Sequence, residues 1–421
     1  MVGVAGVLSV SLADTYFLGQ LGTKELAAIS FTFPVVLVIT SLGIGLSAGT
    51  SSVLSRSIGS GEGAGSSRLA TDCLILALLL ALPTSVIGYV LTEPLFSLLG
   101  AEGEVLELVT SYMHVWFFGA PFLITAMVGM GLLRANGDGL GPSAVMVGAA
   151  ILNIGLDPLF IFGAGPVPAL GVEGAAWATL GARLAMVLAS FCLVALRDRM
   201  LTAAVPGPEE FLTNARKIAG VGLPAAFSNM INPLSISVVT ALLAGYGNET
   251  VAAFGVATRI ETLATIPMLA LSSAIGPVAG QNWGNGQPHR TRRAMRDCFI
   301  FVVLCGLVLG GLFFVIAEPA VALFSDESVV RNLAVSYLTV VGLTLGGYGV
   351  VITASAAFNA VGKAITGLMI TALRSFVLYV PLAWLAVNFG PPWLVFAGIA
   401  LANLLAGIII AIFALRLGKS N

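Results

Sequence analysis

The sequence predicts an all-α polytopic membrane protein, with twelve transmembrane helices in two pseudo-symmetric six-helix bundles. Three observations predict it. Of 421 residues, 58% are hydrophobic and only 9% are charged, whereas a soluble domain carries about 25% charged residues. Charges that sparse cannot cover a water-facing surface. The apolar residues gather into runs long enough to cross a bilayer, and the second half of the chain repeats the first in constant register.

Runs of about 20 apolar residues span the hydrocarbon core. In order they are 2–20, 28–54, 68–91, 107–133, 141–163, 172–196, 216–244, 251–279, 294–317, 329–358, 364–388 and 393–415. Glycine and proline clusters punctuate them. The 50 glycines suit membrane helices, whose backbones must approach closely because lipid offers no hydrophobic drive to associate. The longest polar connection runs between Arg197 and Thr213 and contains Pro206, Gly207, Pro208, Glu209 and Glu210. It separates an N-lobe of spans 1–6 (residues 1–200) from a C-lobe of spans 7–12 (214–421), with a cytoplasmic linker at 201–213.

Basic residues set the orientation, because cytoplasmic loops carry the excess of Lys and Arg. The connections after even-numbered spans, with the C-terminal tail, hold Arg56, Arg68, Arg134, Arg197, Arg199, Arg216, Lys217, Arg290, Arg292, Arg293, Arg296, Lys363, Arg416 and Lys419. The opposite side holds Lys24 and Arg331. Both termini are expected in the cytoplasm, with the chain multi-pass in the plasma membrane, in contact with lipid and monomeric. No cleavable signal peptide is expected, since no Lys or Arg precedes the first apolar run. A net charge of −1 gives no reason to expect a nucleic-acid partner. Cys73, Cys192, Cys298 and Cys305 lie in or beside apolar runs without metal spacing and read as small core residues. His114 and His289 cannot build a metal site.

Adding 225 to a first-half number lands on a related residue without gaps from about 26 to 144. Gly59 and Gly61 map to Gly284 and Gly286, Arg68 to Arg293, Glu93-Pro94 to Glu318-Pro319, and Ala135 and Gly137 to Ala360 and Gly362. Six spans per half is even, so both halves share one orientation, an arrangement found in transporters with a central cleft. The offset sends Gly222-Leu223-Pro224 to positions before Met1. Span 1 is therefore expected to lack roughly three turns present in span 7, as a misplaced start codon or a truncation would produce.

Ionisable groups deep in a membrane helix cost roughly 2.5–3.5 kcal/mol each on insertion scales and mark function. Asp14 lies in span 1 and Asp157 in span 5. Asn153 is one turn before Asp157 and shares its helix face. Pro158 cannot donate a hydrogen bond, which frees the carbonyl of Ile154. Carboxylate, amide and loosened carbonyl oxygens are hard ligands that suit Na⁺, while carboxylates kept from water could carry protons instead. Thr179 in span 6 adds a hydroxyl. The bland alternative is an Asp that caps a half-helix, and a pair with Asn153 one turn away counts against it. By the offset, Asp14, Asn153 and Asp157 map to Val239, Leu378 and Leu382, so an ion site would belong to the first half alone.

The second half carries Arg259, Glu261 and Arg374. Arg259 and Glu261 are two apart and do not face each other on a helix. Glu261 is either a second titrating site or substrate counter-ion, or a structural partner of Arg374. Ser228, Asn229, Asn232 and Asn282 either line a cavity or hold helices together. Phe31, Phe33, Trp116, Phe117 and Trp283 could meet flat cations through their π faces, although core or interfacial packing accounts for most such rings. Arg134, Asp138 and the Arg290–Arg296 cluster read as cytoplasmic anchors. No Walker loop, HExxH motif or Ser/His/Asp set is present, and Gly61-Glu62-Gly63-Ala64-Gly65 lacks a P-loop lysine, so neither an enzyme nor a bound cofactor is expected.

Five stretches resemble the multidrug and toxic compound extrusion (MATE) family over essentially the whole chain. They are residues 13–22 (ADTYFLGQLG), 133–138 (LRANGD), 153–163 (NIGLDPLFIFG), 171–179 (GVEGAAWAT) and 280–284 (GQNWG). The resemblance implies a V-shaped pair of six-helix lobes, alternating access, and export of small, often cationic, organic compounds against Na⁺ or H⁺. It is closer to the DNA-damage-inducible protein F branch, whose ion site carries over onto Asp14, Asn153, Asp157 and Thr179, with the Ala175 carbonyl as a further ligand. The NorM-type branch uses a glutamate in span 7. Here that span has no acid, and Asn232 falls about where it would stand. A flippase of lipid-linked sugars from the wider superfamily is the nearest alternative, but it would want a cationic cavity. A non-transporting membrane enzyme or receptor is more distant.

Overall fold

The structure is a computed structural model that describes residues 2–202 and 207–417. Pro206 of the expected linker and Lys419 of the tail lie outside the described residues. In order the helices are α1 (Val2–Leu21), α2 (Thr23–Gly59), α3 (Gly63–Val90), α4 (Thr92–Leu98), α5 (Gly103–Ala135), α6 (Leu140–Ile161) and α7 (Gly171–Cys192). They continue as α8 (Pro208–Leu243), α9 (Asn248–Ala264), α10 (Ile266–Gly284), α11 (Pro288–Ala322) and α12 (Ser328–Gly342). The last four are α13 (Leu345–Ala360), α14 (Ala364–Ala372), α15 (Val380–Phe389) and α16 (Pro392–Ala414). Among the described residues, nine helices are long and apolar enough to cross a membrane, and two bent pairs raise the number to eleven. With α1, of 20 residues, the all-helical twelve-span architecture stands.

The repeat reappears in helix ends. Adding 225 to Thr23, Gly59, Gly63, Gly103 and Ala135 gives Asn248, Gly284, Pro288, Ser328 and Ala360, each a helix end in the second half. Gly61 and Gly137 turn the chain at φ 81° and 88°, and their counterparts Gly286 and Gly362 do so at 67° and 83°. Only glycine takes these values without strain, so the register is written into the turns as well as the spans.

The copies differ where the sequence predicted continuous spans. α2 is unbroken, but its counterpart bends by 46° between α9 and α10. Pro267 follows that break in the sequence and removes the N–H that would have bonded one turn back. α5 is unbroken, but its counterpart bends by 58° between α12 and α13, where Gly342, Gly346 and Gly347 crowd the junction.

The chain forms two compact units, Met1–Ala226 and Phe227–Asn421. In the first, α5 packs against α2, α3 and α7. It is buried around most of its circumference, as a helix apolar on all sides requires. In the second, α13 takes that place against α10, α11, α14 and α16.

The turn that feeds α6 is pinned by charge. Asp138 Oδ1 accepts hydrogen bonds from the N–H groups of Leu140 (2.9 Å) and Gly141 (2.8 Å), which have no partner within the helix. Arg197 pairs with Asp138 and with Asp198, the latter at 2.7 Å. Asp138 is thus a helix cap as well as an anchor. Desolvation opposes its charge, but the Gly141 N–H and Arg197 outweigh it and hold the carboxyl below its ordinary range. Its contribution is therefore present above that range and fades as pH falls through it. Asp138→Asn is expected to lower the unfolding temperature at pH 7. The difference from wild type should shrink as pH drops below about 4, which a thermal-unfolding series in detergent would read.

Candidate cation site in the first unit

Three helices build the site. α6 and α7 pack with their backbones nearly touching: a Cβ on Gly174 would lie 2.3 Å from the Phe160 carbonyl oxygen. α1 lies on α6 through its own small residues. A Cβ on Gly3 would meet the Ser143 backbone at 3.1 Å, and one on Gly6 would meet Ala150 at 3.4 Å. Small residues let membrane helices approach in this way, and the approach carries Asp14 of α1 to Asp157 of α6.

Asp157 is fully buried and Asn153 nearly so, one turn apart on α6. Asn153 Nδ2 points toward Asp157 Oδ1 and toward Thr179 Oγ1 of α7, each at 3.5 Å. Both distances lie at the outer limit of hydrogen bonding. Asn153 Oδ1, Asp14 Oδ1 and Asp157 Oδ2 are all buried without a hydrogen-bond partner. A buried polar atom left unpaired costs about 1–3 kcal/mol, so each of the three calls for a positive partner. The Asp14 and Asp157 carboxyls lie within hydrogen-bonding reach of each other. Two carboxylates so close need a proton or a cation between them. Ala175, buried at 2% exposure, sits one turn before Thr179 on α7. Pro158 does not break α6, which runs on to Ile161.

One residue of this region was not among those expected from the sequence. Arg183 on α7 is 7% exposed. Its guanidinium lies 4.4 Å from the Trp116 ring centroid, and Nη1 donates to the Trp116 carbonyl at 3.2 Å. The spacing of Ala175, Thr179 and Arg183 by four could have found it. Trp116 and Phe117 are core residues, at 2% and 1% exposure. Phe33 is exposed, and Phe31 packs half-buried against the core of this unit.

The second unit holds a separate polar cluster. Arg374 is buried at 4% exposure on a π-helical turn, Leu373–Tyr379. Its Nε donates to Asn403 Oδ1 at 3.0 Å and its Nη1 to Asn232 Oδ1 at 3.1 Å. The Tyr348 and Tyr379 rings lie 4.3 and 5.0 Å from its guanidinium carbon. Glu261 takes its hydrogen bond from the Tyr337 hydroxyl, so Glu261 and Arg374 share a neighbourhood without a direct bond. Arg259 is exposed. Asn282 donates to the Val278 carbonyl of its own helix at 2.8 Å, and Ser228 meets Thr371 at 2.8 Å. Trp283 carries the Lys363 ammonium 5.6 Å above its ring. Val239, Leu378 and Leu382, the offset counterparts of Asp14, Asn153 and Asp157, pack into the apolar core of this unit.

Among the described residues no group of three His, Cys, Asp or Glu side chains could hold a metal ion, and no cysteine is paired. The first-unit site is instead mixed, with carboxylate, amide and hydroxyl oxygens.

Comparison with known proteins agrees with this architecture. The chain is 40% identical over 408 residues to a FAD transporter of Shewanella oneidensis, covering 97% of this chain and 90% of that one. It is 27% identical to the multidrug export protein MepA of Staphylococcus saprophyticus, over 90% of this chain and 83% of that one. Among solved structures, the Vibrio cholerae MATE transporter VcmN in its bent form superposes with a TM-score of 0.92 at 30% identity, covering 99% of this chain and 94% of that one. A MOP superfamily transporter of Pyrococcus furiosus gives 0.90 at 28% identity, over 98% and 92%. The MatE family pattern matches residues 1–159 and 224–385. The chain belongs to the MatE family of membrane transporters.

Proposed function

We propose that the protein exports small organic molecules across the plasma membrane by antiport with Na⁺ or H⁺, both termini lying in the cytoplasm. Asp14, Asn153, Asp157 and Thr179 hold the coupling ion, with the Ala175 carbonyl beside them. The observation that carries this reading is that Asp14, Asn153 and Asp157 each hold a buried oxygen without a hydrogen-bond partner, with the two carboxyls side by side. The lack of an acid in span 7, where Asn232 is tied to Arg374, favours the DNA-damage-inducible protein F branch.

Binding a cation removes the repulsion of two buried carboxylates and lets α1 settle against α6 and α7. A cation can drive that change only by binding one conformation more tightly than the other. Substrate leaves outward as the site fills, and the cation is released inward when the unit relaxes. The substrate class is flat aromatic compounds. FAD comes first because of the relative at 40% identity over nearly the whole chain, and an organic cation comes second because of relatives named for multidrug export.

The test is efflux from proteoliposomes loaded separately with FAD and with ethidium, under an imposed Na⁺ or pH gradient. Efflux of at least one compound, driven by at least one gradient, is expected. Failure of both gradients to move either compound, in protein shown to be folded, would overturn the reading.

A further inference from the structure

We propose that Arg183 is the built-in counter-cation of the ion site and limits it to one monovalent cation per cycle. This rests on the cation-coupled reading above. Ala175, Thr179 and Arg183 follow at intervals of four, so all three line one face of α7. Thr179 on that face meets Asn153 at 3.5 Å, which places Arg183 one turn beyond the ligand set. The guanidinium is held by Trp116. It lies over the Trp116 ring at 4.4 Å and donates to the Trp116 carbonyl at 3.2 Å. Gly119 leaves the room: a Cβ there would come within 3.1 Å of Nη1. Asp14 is near enough for its charge to act on Arg183, as is the Tyr112 phenol.

An arginine in a membrane helix is costly and pairs with an opposite charge or a polar cavity. Among the described residues, the ionisable groups that act on one another here are Asp14 on α1, Tyr112 on α5, Asp157 on α6 and Arg183 on α7. With two carboxylates, one guanidinium and a neutral phenol, the set sums to −1. One Na⁺ or one H⁺ brings it to neutrality, and a second would leave uncompensated positive charge away from water. Without Arg183 the sum is −2, and two monovalent cations are needed to reach the same state. Arg183 is a positioning residue for charge and makes no contact with the transported cation.

Stoichiometry is read from the steady-state substrate gradient, with the membrane potential clamped at zero by potassium and valinomycin. FAD and, in separate vesicles, ethidium are followed against imposed Na⁺ and H⁺ gradients. At equilibrium the substrate ratio equals the cation ratio raised to the number of cations exchanged. A tenfold cation gradient thus sustains about a tenfold substrate gradient for one cation, and about a hundredfold for two.

Wild type and Arg183→Lys are expected to give a logarithmic slope of one, and Arg183→Gln a slope of two. A slope of two in wild type, or of one in Arg183→Gln, overturns the proposal. If Arg183→Gln does not fold, Arg183→Met, which keeps the apolar stem and removes the charge, is measured in its place, with the same slope of two expected and a slope of one overturning the proposal. A wild type that sustains no gradient of either compound fails the cation-coupled reading itself. A wrong slope leaves that reading standing.

Discussion

Asp157→Asn is expected to abolish cation-driven efflux while leaving the protein folded and inserted. The substitution keeps the shape of the side chain and one acceptor oxygen, so the packing of α6 against α7 is undisturbed. It removes the negative charge that, on the proposed reading, attracts the coupling ion. With Arg183 close by, the remaining charge of the set falls from −1 to zero, and nothing is left to draw a cation out of water. Efflux under the driving gradient should fall to the level of empty vesicles. The unfolding temperature in detergent should stay near that of wild type, since the change relieves a close pair of buried carboxyls rather than opening a cavity. Proteoliposome efflux beside a thermal melt separates the two effects. Full transport by Asp157→Asn would end the case for this site.

Gly306→Val is expected to have the largest effect on stability. Gly306 and Gly310 of α11 face Gly342 and Gly346 across the α12–α13 bend. A Cβ on Gly306 would lie 2.2 Å from the Gly346 backbone nitrogen, and one on Gly310 would lie 2.7 Å from the Leu343 backbone. The obstacle is backbone, so no rotamer change relieves it, and α11 must move away from α13. Overpacking a core typically costs about 1–3 kcal/mol and occasionally more. Here the helix displaced is a neighbour of the central helix of its unit. Gly311, one residue beyond the second of these glycines, has nothing within 4 Å of where its Cβ would be. Gly311→Ala should be neutral, or raise stability slightly through helix propensity. Equal melting of the two variants would show that the glycine contact is not what holds these helices together.

Why some features could be read without coordinates follows from the bilayer. It imposes a span length, an apolar composition and a charge asymmetry, and each leaves a mark on consecutive residues. The offset of 225 marks the register of the halves, and the structure returns it at helix ends and at Gly61, Gly137, Gly286 and Gly362. Asn153 and Asp157 share a helix face because they are four apart, and that too is local. The two bends were not legible as such. Pro267 gave one possible signal, but the unbroken α5 contains Pro121, so proline alone does not decide a bend. The Gly342–Gly347 bend depends on what the glycines approach.

The sequence by itself determined the class of fold, the spans, the repeat and the pairing of Asn153 with Asp157, because all of these rest on spacing along one chain. Only the tertiary structure decided that Asp14 reaches Asp157, that Arg183 stands over Trp116 beside them, and that Glu261 bonds Tyr337 while Arg374 bonds Asn232 and Asn403. Those partners lie on different helices, and their meeting depends on how closely the backbones pack. That closeness is set by glycines such as Gly3, Gly6 and Gly174, whose meaning appears only when the neighbouring helix is in place.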